Sequence, residues 1–357
     1  MNHSLSIYAG SIALENIRRH GLHPDQVKVF VGASGGPKWF VLYGLDRYLF
    51  GDFFPQKKEK LYSIGSSAGA WRMACLARKR PVSAIARLAQ KYSNEVYTNK
   101  PSATEVSLKA RQLLDYVIED DGVEEILSNK KIQTHIIAAK SLGLVASEEP
   151  WLQGSGLLLS AAANLLSRNN LRHFYERTVF HTGEQGRPFF RFSDFSTQNV
   201  QLTKDNLKDA LMASGAIPMM LKGIPNIQGA ETGIYRDGGM VDYHFDFRFN
   251  PGKELVLYPH FSARVVPGWF DKALKWRKIT PYHFENVVLI TPSAEFVDNL
   301  PYKKIPDRKD FNKMDPDTRQ KYWHQVLSES LRMGDELKAL VETGKGIDRI
   351  EPLSAIY

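Results

Sequence analysis

Two short runs of β-branched and aromatic residues end in the same five-residue turn pattern and continue into helical sequence. Residues 27–31 (VKVFV) lead to Gly32-Ala33-Ser34-Gly35-Gly36, and residues 61–64 (LYSI) lead to Gly65-Ser66-Ser67-Ala68-Gly69. Runs of this length bounded by glycine suit buried strands. Residues 39–50 (WFVLYGLDRYLF) and 70–80 (AWRMACLARKR) then read as helices, the second stopped by Pro81. Two consecutive strand–turn–helix units imply parallel strands joined by helical crossovers.

The rest of the chain extends that pattern. Residues 9–20 read as an amphipathic helix with Ile12, Leu14 and Ile17 apolar, Arg18 and Arg19 in the last turn, and Gly21 as the stop. Residues 82–130 are mostly helical in pattern. Strands are expected at 132–139, 254–258 and 286–291, and at 178–183 and 188–192, the latter two joined by a GEQG hairpin turn at 183–186. Helices are expected at 204–213 and 318–341. There is no further repeat, low-complexity tract or evident linker. One α/β domain over residues 5–295 is the economical reading, with 296–357 as a helical extension that packs on or caps it.

Composition sets outer limits. With 43% hydrophobic and 24% charged residues, the 357-residue chain has a folded protein's balance. The single cysteine, Cys75, allows no internal disulfide and reads as a small core residue. Residues 1–13 lack a basic head followed by an apolar block, so no secretory signal is expected. The longest apolar stretch, 157–166, is too short to cross a bilayer. A cytoplasmic location with peripheral membrane contact is the resulting expectation.

The sharpest chemical signal is Gly65-Ser66-Ser67-Ala68-Gly69. A G-x-S-x-G turn between strand and helix is the setting of a nucleophile elbow, where small residues let strand and helix pack closely around an exposed serine. The helix N-terminus behind it favours developing negative charge. Gly32, Ser34 and Gly36 fit the same spacing, so Ser34 competes for the nucleophile's role. Its extra glycine and Pro37 make that loop look more like a backbone cradle whose N–H groups bind an anion. Ser67 is therefore assigned to attack, and Gly35 and Gly36 to an oxyanion hole. Asp237, followed by Gly238 and Gly239 at a strand end, supplies a base in a tight loop.

In that order, a Gly-rich loop, G-x-S-x-G and then D-G-G resemble the patatin-like phospholipase family. Ala213-Ser214-Gly215-Ala216-Ile217-Pro218 resembles the A-S-x-A-x-P stretch that precedes D-G-G there. The likeness covers about residues 5–245. The Gly-rich loop departs in detail: Lys38 stands where the family usually has arginine, and Trp39 where it has a final glycine. The resemblance implies a three-layer α/β/α fold with a mainly parallel central sheet. It also implies a Ser67–Asp237 dyad without histidine. The implied reaction is hydrolysis of phospholipid or other acyl-lipid esters through an acyl-enzyme, with no metal and no cofactor.

Other readings remain beside it. His260 or His244 would complete a Ser–Asp–His triad, and Asp242 is a reserve base. The histidines show no metal-binding spacing. An acyltransferase on the same fold would typically carry histidine directly before the serine, where Ser66 stands. A lipid-binding protein without catalysis is the third reading. A net charge of +8 favours an anionic partner. Without zinc-finger spacing or an aromatic RNA-binding motif, an anionic membrane surface suits the motifs better than nucleic acid, and no nucleic-acid partner is expected. Residues 151–166 read as a core helix, or else as a lid or acyl-chain wall. Residues 265–279 mix Trp269, Phe270 and Trp276 with Lys272, Lys275 and Arg277, as a membrane-facing segment or an amphipathic surface helix would.

Overall fold

A computed structural model describes residues 3–183 and 189–357. Among the described residues eleven strands form one sheet: β1 (Leu5–Ala9), β2 (Val27–Gly32), β3 (Leu61–Ser66), β4 (Ile132–Ser141), β5 (Tyr175–His181), β6 (Thr197–Gln201), β7 (Ile224–Pro225), β8 (Ile234–Asp237), β9 (Leu255–Pro259), β10 (Val287–Pro292) and β11 (Glu351–Pro352). The order is β11-β1-β10-β9-β2-β3-β4-β5-β6, with β8 on β4 and β7 on β8. The central run β10-β9-β2-β3-β4 is parallel throughout, while β1 joins β10, and β5 joins β4, antiparallel. Strands β9 and β10 are buried along their whole length, as strands covered on both faces must be. The architecture is a three-layer α/β/α fold around a mainly parallel sheet.

Twelve α-helices accompany the sheet among the described residues. They are α1 (Ser11–His20), α2 (Tyr43–Tyr48), α3 (Ala68–Leu76), α4 (Pro81–Ser93), α5 (Ala103–Ile118), α6 (Gly122–Leu127), α7 (Pro150–Leu166), α8 (Leu207–Gly215), α9 (Ala294–Asp298), α10 (Asp310–Lys313), α11 (Pro316–Glu329) and α12 (Leu331–Thr343). The chain beyond residue 295 returns to the sheet and the first crossover. There β11 pairs with β1, and α12 packs on α2.

Several elements differ from the sequence reading. The helix expected over 39–50 is a 3-10 segment (Gly36–Leu42), then α2, then a π turn (Leu49–Phe53). Gly44 lies against the α11–α12 junction: its N–H donates to Ser330 Oγ at 3.0 Å, and a side chain there would meet the Ser330 carbonyl. The same junction splits the helix expected over 318–341 in two. The expected helix over 70–80 stops at Leu76, and the Arg78 guanidinium turns inward to the Val117 and Ile118 carbonyls and Glu125. Residues 189–192 form no strand. Phe189 stacks on Tyr62 and donates its N–H to His135 Nε2, and β5 takes β6 as a parallel neighbour instead. The expected turn at 183–186 lies largely outside the described residues.

One feature of register positions the site. Strand β3 pairs with the first half of β4 and ends with Ser66 opposite Ile137. Strand β8 pairs with the second half from the opposite direction and ends with Asp237 opposite Ala138. Two strand ends therefore meet head-on beside adjacent residues of β4, which brings the residue after Ser66 to Asp237.

Candidate active site

Ser67 sits between β3 and α3 at φ 55°, ψ −128°, a conformation that non-glycine residues rarely adopt. The turn is possible because β2 and α3 nearly touch. A Cβ on Gly69 would lie 1.8 Å from the Gly32 carbonyl oxygen, so position 69 admits no side chain. The first turn of α3 follows at once, with its partial positive charge behind the serine. Cys75 is buried in this helix, and burial pushes its thiol up to about 12, as an inert core residue requires.

The Ser67 hydroxyl donates to Asp237 Oδ2 at 2.7 Å. The other carboxylate oxygen accepts the Gly239 N–H at 2.7 Å, and the Asp237 N–H donates to the Ala216 carbonyl at 3.0 Å. Both side chains are buried. Burial raises the Asp237 pKa above its ordinary 3.8. The bonds from Ser67 and Gly239 and the positive charges of Arg308 and Lys272 oppose that rise. The result is a carboxylate of increased basicity held on a hydroxyl.

Ser214 closes the gap between the two strand ends. Its hydroxyl accepts the Ser67 N–H at 2.9 Å and donates to the Ile137 carbonyl at 2.6 Å. It lies in the A-S-x-A-x-P stretch, so the sequence carried a signal for the segment though not for this role.

Ser34 is near but differently engaged. Its hydroxyl donates to Ser66 Oγ at 2.9 Å, and its N–H goes to the Tyr243 carbonyl at 3.0 Å. The following Gly35 and Gly36 N–H groups meet no acceptor among the described residues. Gly36 has φ 55°, and a Cβ there would come within 3.2 Å of Arg308 Nη2. Arg308 thus brings a cation to the Gly-rich loop from the far end of the chain. Lys38 pairs with the neighbouring Asp307 at 3.5 Å and lies over the Phe261 ring, which packs against Gly35. No local pattern around Arg308 or Phe261 marked them.

The reserve residues are occupied elsewhere. Asp242 is clamped by Arg177 through bonds of 2.6 and 2.9 Å. His244 and His260 are buried edge-to-face with centroids 4.2 Å apart. His244 Nδ1 accepts the Val266 N–H, and burial holds both imidazoles neutral, His260 down to about 3. Neither reaches Asp237 or Ser67 by a hydrogen bond. Among the described residues no group of three or more His, Cys, Asp or Glu side chains is arranged to hold a metal. No helix among them is long and apolar enough to cross a membrane.

No protein-family model matches the chain, and no curated protein does. Among solved structures it is similar to human GIVD cytosolic phospholipase A2, at 12% sequence identity and a TM-score of 0.36. The matched region covers 100% of this chain and 66% of that one, so this chain spans just under two thirds of that protein's length.

Proposed function

We propose that the chain is a serine hydrolase that cleaves carboxylic esters of phospholipids or other acyl lipids through an acyl-enzyme, a patatin-like phospholipase in type. The observation that carries the reading is the Ser67–Asp237 hydrogen bond of 2.7 Å at a positive-φ turn between strand and helix. The ordered motifs and the free N–H groups of Gly35 and Gly36 support it.

In this mechanism Asp237 takes the hydroxyl proton as Ser67 Oγ bonds to the ester carbonyl carbon. The carbonyl oxygen becomes an oxyanion facing the Gly35 and Gly36 N–H groups, with Arg308 beyond them. Collapse breaks the ester C–O bond, and Asp237 returns its proton to the leaving alcohol. Water then attacks the acyl-serine and gives a proton to Asp237. The fatty acid departs, and that proton returns to Ser67 Oγ. The raised basicity of Asp237 suits a carboxylate that works without an imidazole. The balance needs no metal or cofactor. The proposed setting is cytoplasmic, with transient contact to an anionic membrane and no nucleic-acid partner.

The test is fatty-acid release from a short-chain ester and from phospholipid, comparing wild type with Ser67→Ala. Loss of release in the folded variant is expected; retained turnover refutes the mechanism. Transfer to an added alcohol in excess of hydrolysis would make the chain an acyltransferase.

A further inference from the structure

Helix α7 is inverted in polarity. Its 17 residues, PWLQGSGLLLSAAANLL, contain no charged side chain. A surface helix ordinarily turns its apolar stripe inward. Here the buried positions are Gln153, Gly156, Ser160 and Asn164, whereas Trp151, Leu158, Leu159, Leu165 and Leu166 face outward. Trp151 is 70% exposed, Leu158 73% and Leu166 84%. At about 100° per residue, the outward group spans an arc of about 120°, opposite the buried one. The sequence reading of a core helix is therefore wrong in a specific way: the helix is apolar, but the core takes its polar side.

This orientation is fixed by chemistry on the buried face. Gln153 Nε2 donates to the Ser147 carbonyl at 2.7 Å, Ser160 Oγ to the Gly156 carbonyl at 2.8 Å, and Asn164 Nδ2 to Asp271 Oδ1 at 2.8 Å. A Cβ on Gly156 would lie 2.7 Å from the Val145 backbone nitrogen, so α7 cannot roll without a clash. Apart from Asn164 Oδ1, which has no hydrogen-bond partner among the described residues, the polar side is satisfied where it is, and Leu158, Leu159, Leu165 and Leu166 are left more than half exposed.

On the opposite, buried side of α7 a link runs toward the dyad. Gln153 Oε1 accepts the Met219 N–H at 2.6 Å, and Met219 and Met220 are exposed beside it. They follow Ala216, whose carbonyl holds Asp237. Arg308 Nη1 lies 3.7 Å from Met220 Sδ. The C-terminal end of α7 is bordered by cations. Arg277 donates to the Asn164 carbonyl, and the exposed Lys275, Trp276 and Lys278 flank it, with Arg172 and His173 on the following turn. The acidic pair at the other end, Glu148 and Glu149, is half spoken for, since Glu148 bonds Arg236.

We infer that α7, with Met219, Met220 and the Trp276 segment, is a docking face for an anionic lipid surface, lying in its plane with the leucines in the acyl region. An uncharged apolar face, tryptophans at both ends and a basic border match an interfacial helix. At about 25 Å long it lies on a bilayer rather than spanning it. The inference rests on the lipid-ester reading for its purpose, bringing Ser67 to lipid esters at the membrane, but its test is independent of catalysis.

The experiment is co-sedimentation of the full chain with vesicles of phosphatidylcholine alone and of phosphatidylcholine mixed with phosphatidylglycerol. It compares wild type, Leu158→Glu/Leu166→Glu and Leu158→Met. Wild type is expected to bind the anionic vesicles more tightly. The double glutamate variant should lose at least about tenfold in partitioning, and Leu158→Met should keep it. Melting temperature and labelling of Ser67 in free solution should be unchanged in all three. Equal partitioning of wild type and the glutamate variant overturns the inference, as does wild type that binds neither vesicle. A wild-type dimer that the glutamates convert to monomer, without change in vesicle binding, assigns the face to a second copy and also overturns it. Loss of Ser67 labelling in wild type with vesicle binding intact would refute the hydrolase reading alone.

Discussion

Replacing Asp237 with asparagine should cut activity sharply and make the protein more stable at neutral pH. The carboxylate is buried, and its pKa is raised above 3.8 because burial disfavours the charged form more than its partners favour it. Its folded form therefore holds a proton over a pH range in which the unfolded chain has released one. Stability from this group is intact below about pH 4, is lost as pH rises from there through the raised folded pKa, and stays lost above it. Asparagine removes the charge and keeps the shape: its amide oxygen can accept the Gly239 N–H that Asp237 now holds at 2.7 Å. Its amide nitrogen, however, faces the Ser67 hydroxyl, which loses its proton acceptor. Activity should fall by about a hundred- to ten-thousand-fold. Stability at pH 7 should rise by about 1 kcal/mol, the scale commonly released at strained active sites. For a chain of this length that is roughly 1–2 °C in melting temperature. The assay is thermal unfolding of both proteins at about pH 4 and pH 7, alongside ester hydrolysis. A gain at pH 7 that vanishes near pH 4 is expected. An Asp237→Asn variant that is less stable at pH 7, or that turns over at close to the wild-type rate, would refute the argument.

Three further outcomes follow from other parts of the structure. Arg308→Ala removes a positive charge that lowers the Asp237 pKa, so the acid limb of the pH–rate profile on a neutral ester should move to higher pH; a limb that stays put would contradict the placement of Arg308. Asp46→Ala leaves the Arg72 guanidinium, now bonded at 2.6 and 2.7 Å and fully buried, without its counter-ion, and should cost about 3–5 kcal/mol by denaturant unfolding. Pairing it with Arg72→Met should recover most of that loss. Gly69→Ala places a methyl 1.8 Å from the Gly32 carbonyl oxygen and should cost about 3 kcal/mol or more while disabling Ser67; an active variant of wild-type stability would show that strand and helix are not so tightly apposed.

The sequence was most legible where one local pattern decides the structure. Strands β9 and β10 are buried throughout, and β2 and β3 are so except for half-buried Lys28 and Tyr62, so all four appear as short, mostly apolar runs beside turn residues. The Ser67 turn is set by local glycines, and it lies at the expected strand–helix boundary. The placement of Asp237 at the Ser67 hydroxyl needed more, because the register of β8 on β4 is a long-range fact. Strand β1 was overlooked because LSIYA becomes a strand only through β10 and β11, nearly a chain length away. Helix α7 was not legible because apolar content does not fix burial, which follows which side of the helix finds partners. Arg308 could not be found from its neighbours at all, since its relevance arises only when the C-terminal region folds back over the Gly-rich loop.

The most direct test of the central claim is labelling by a fluorophosphonate probe, comparing wild type with Ser67→Ala, Ser34→Ala and Asp237→Ala. The account predicts that label is lost in Ser67→Ala and Asp237→Ala and persists in Ser34→Ala, whose hydroxyl is turned to Ser66. Label retained in Ser67→Ala, or found on Ser34, would contradict it.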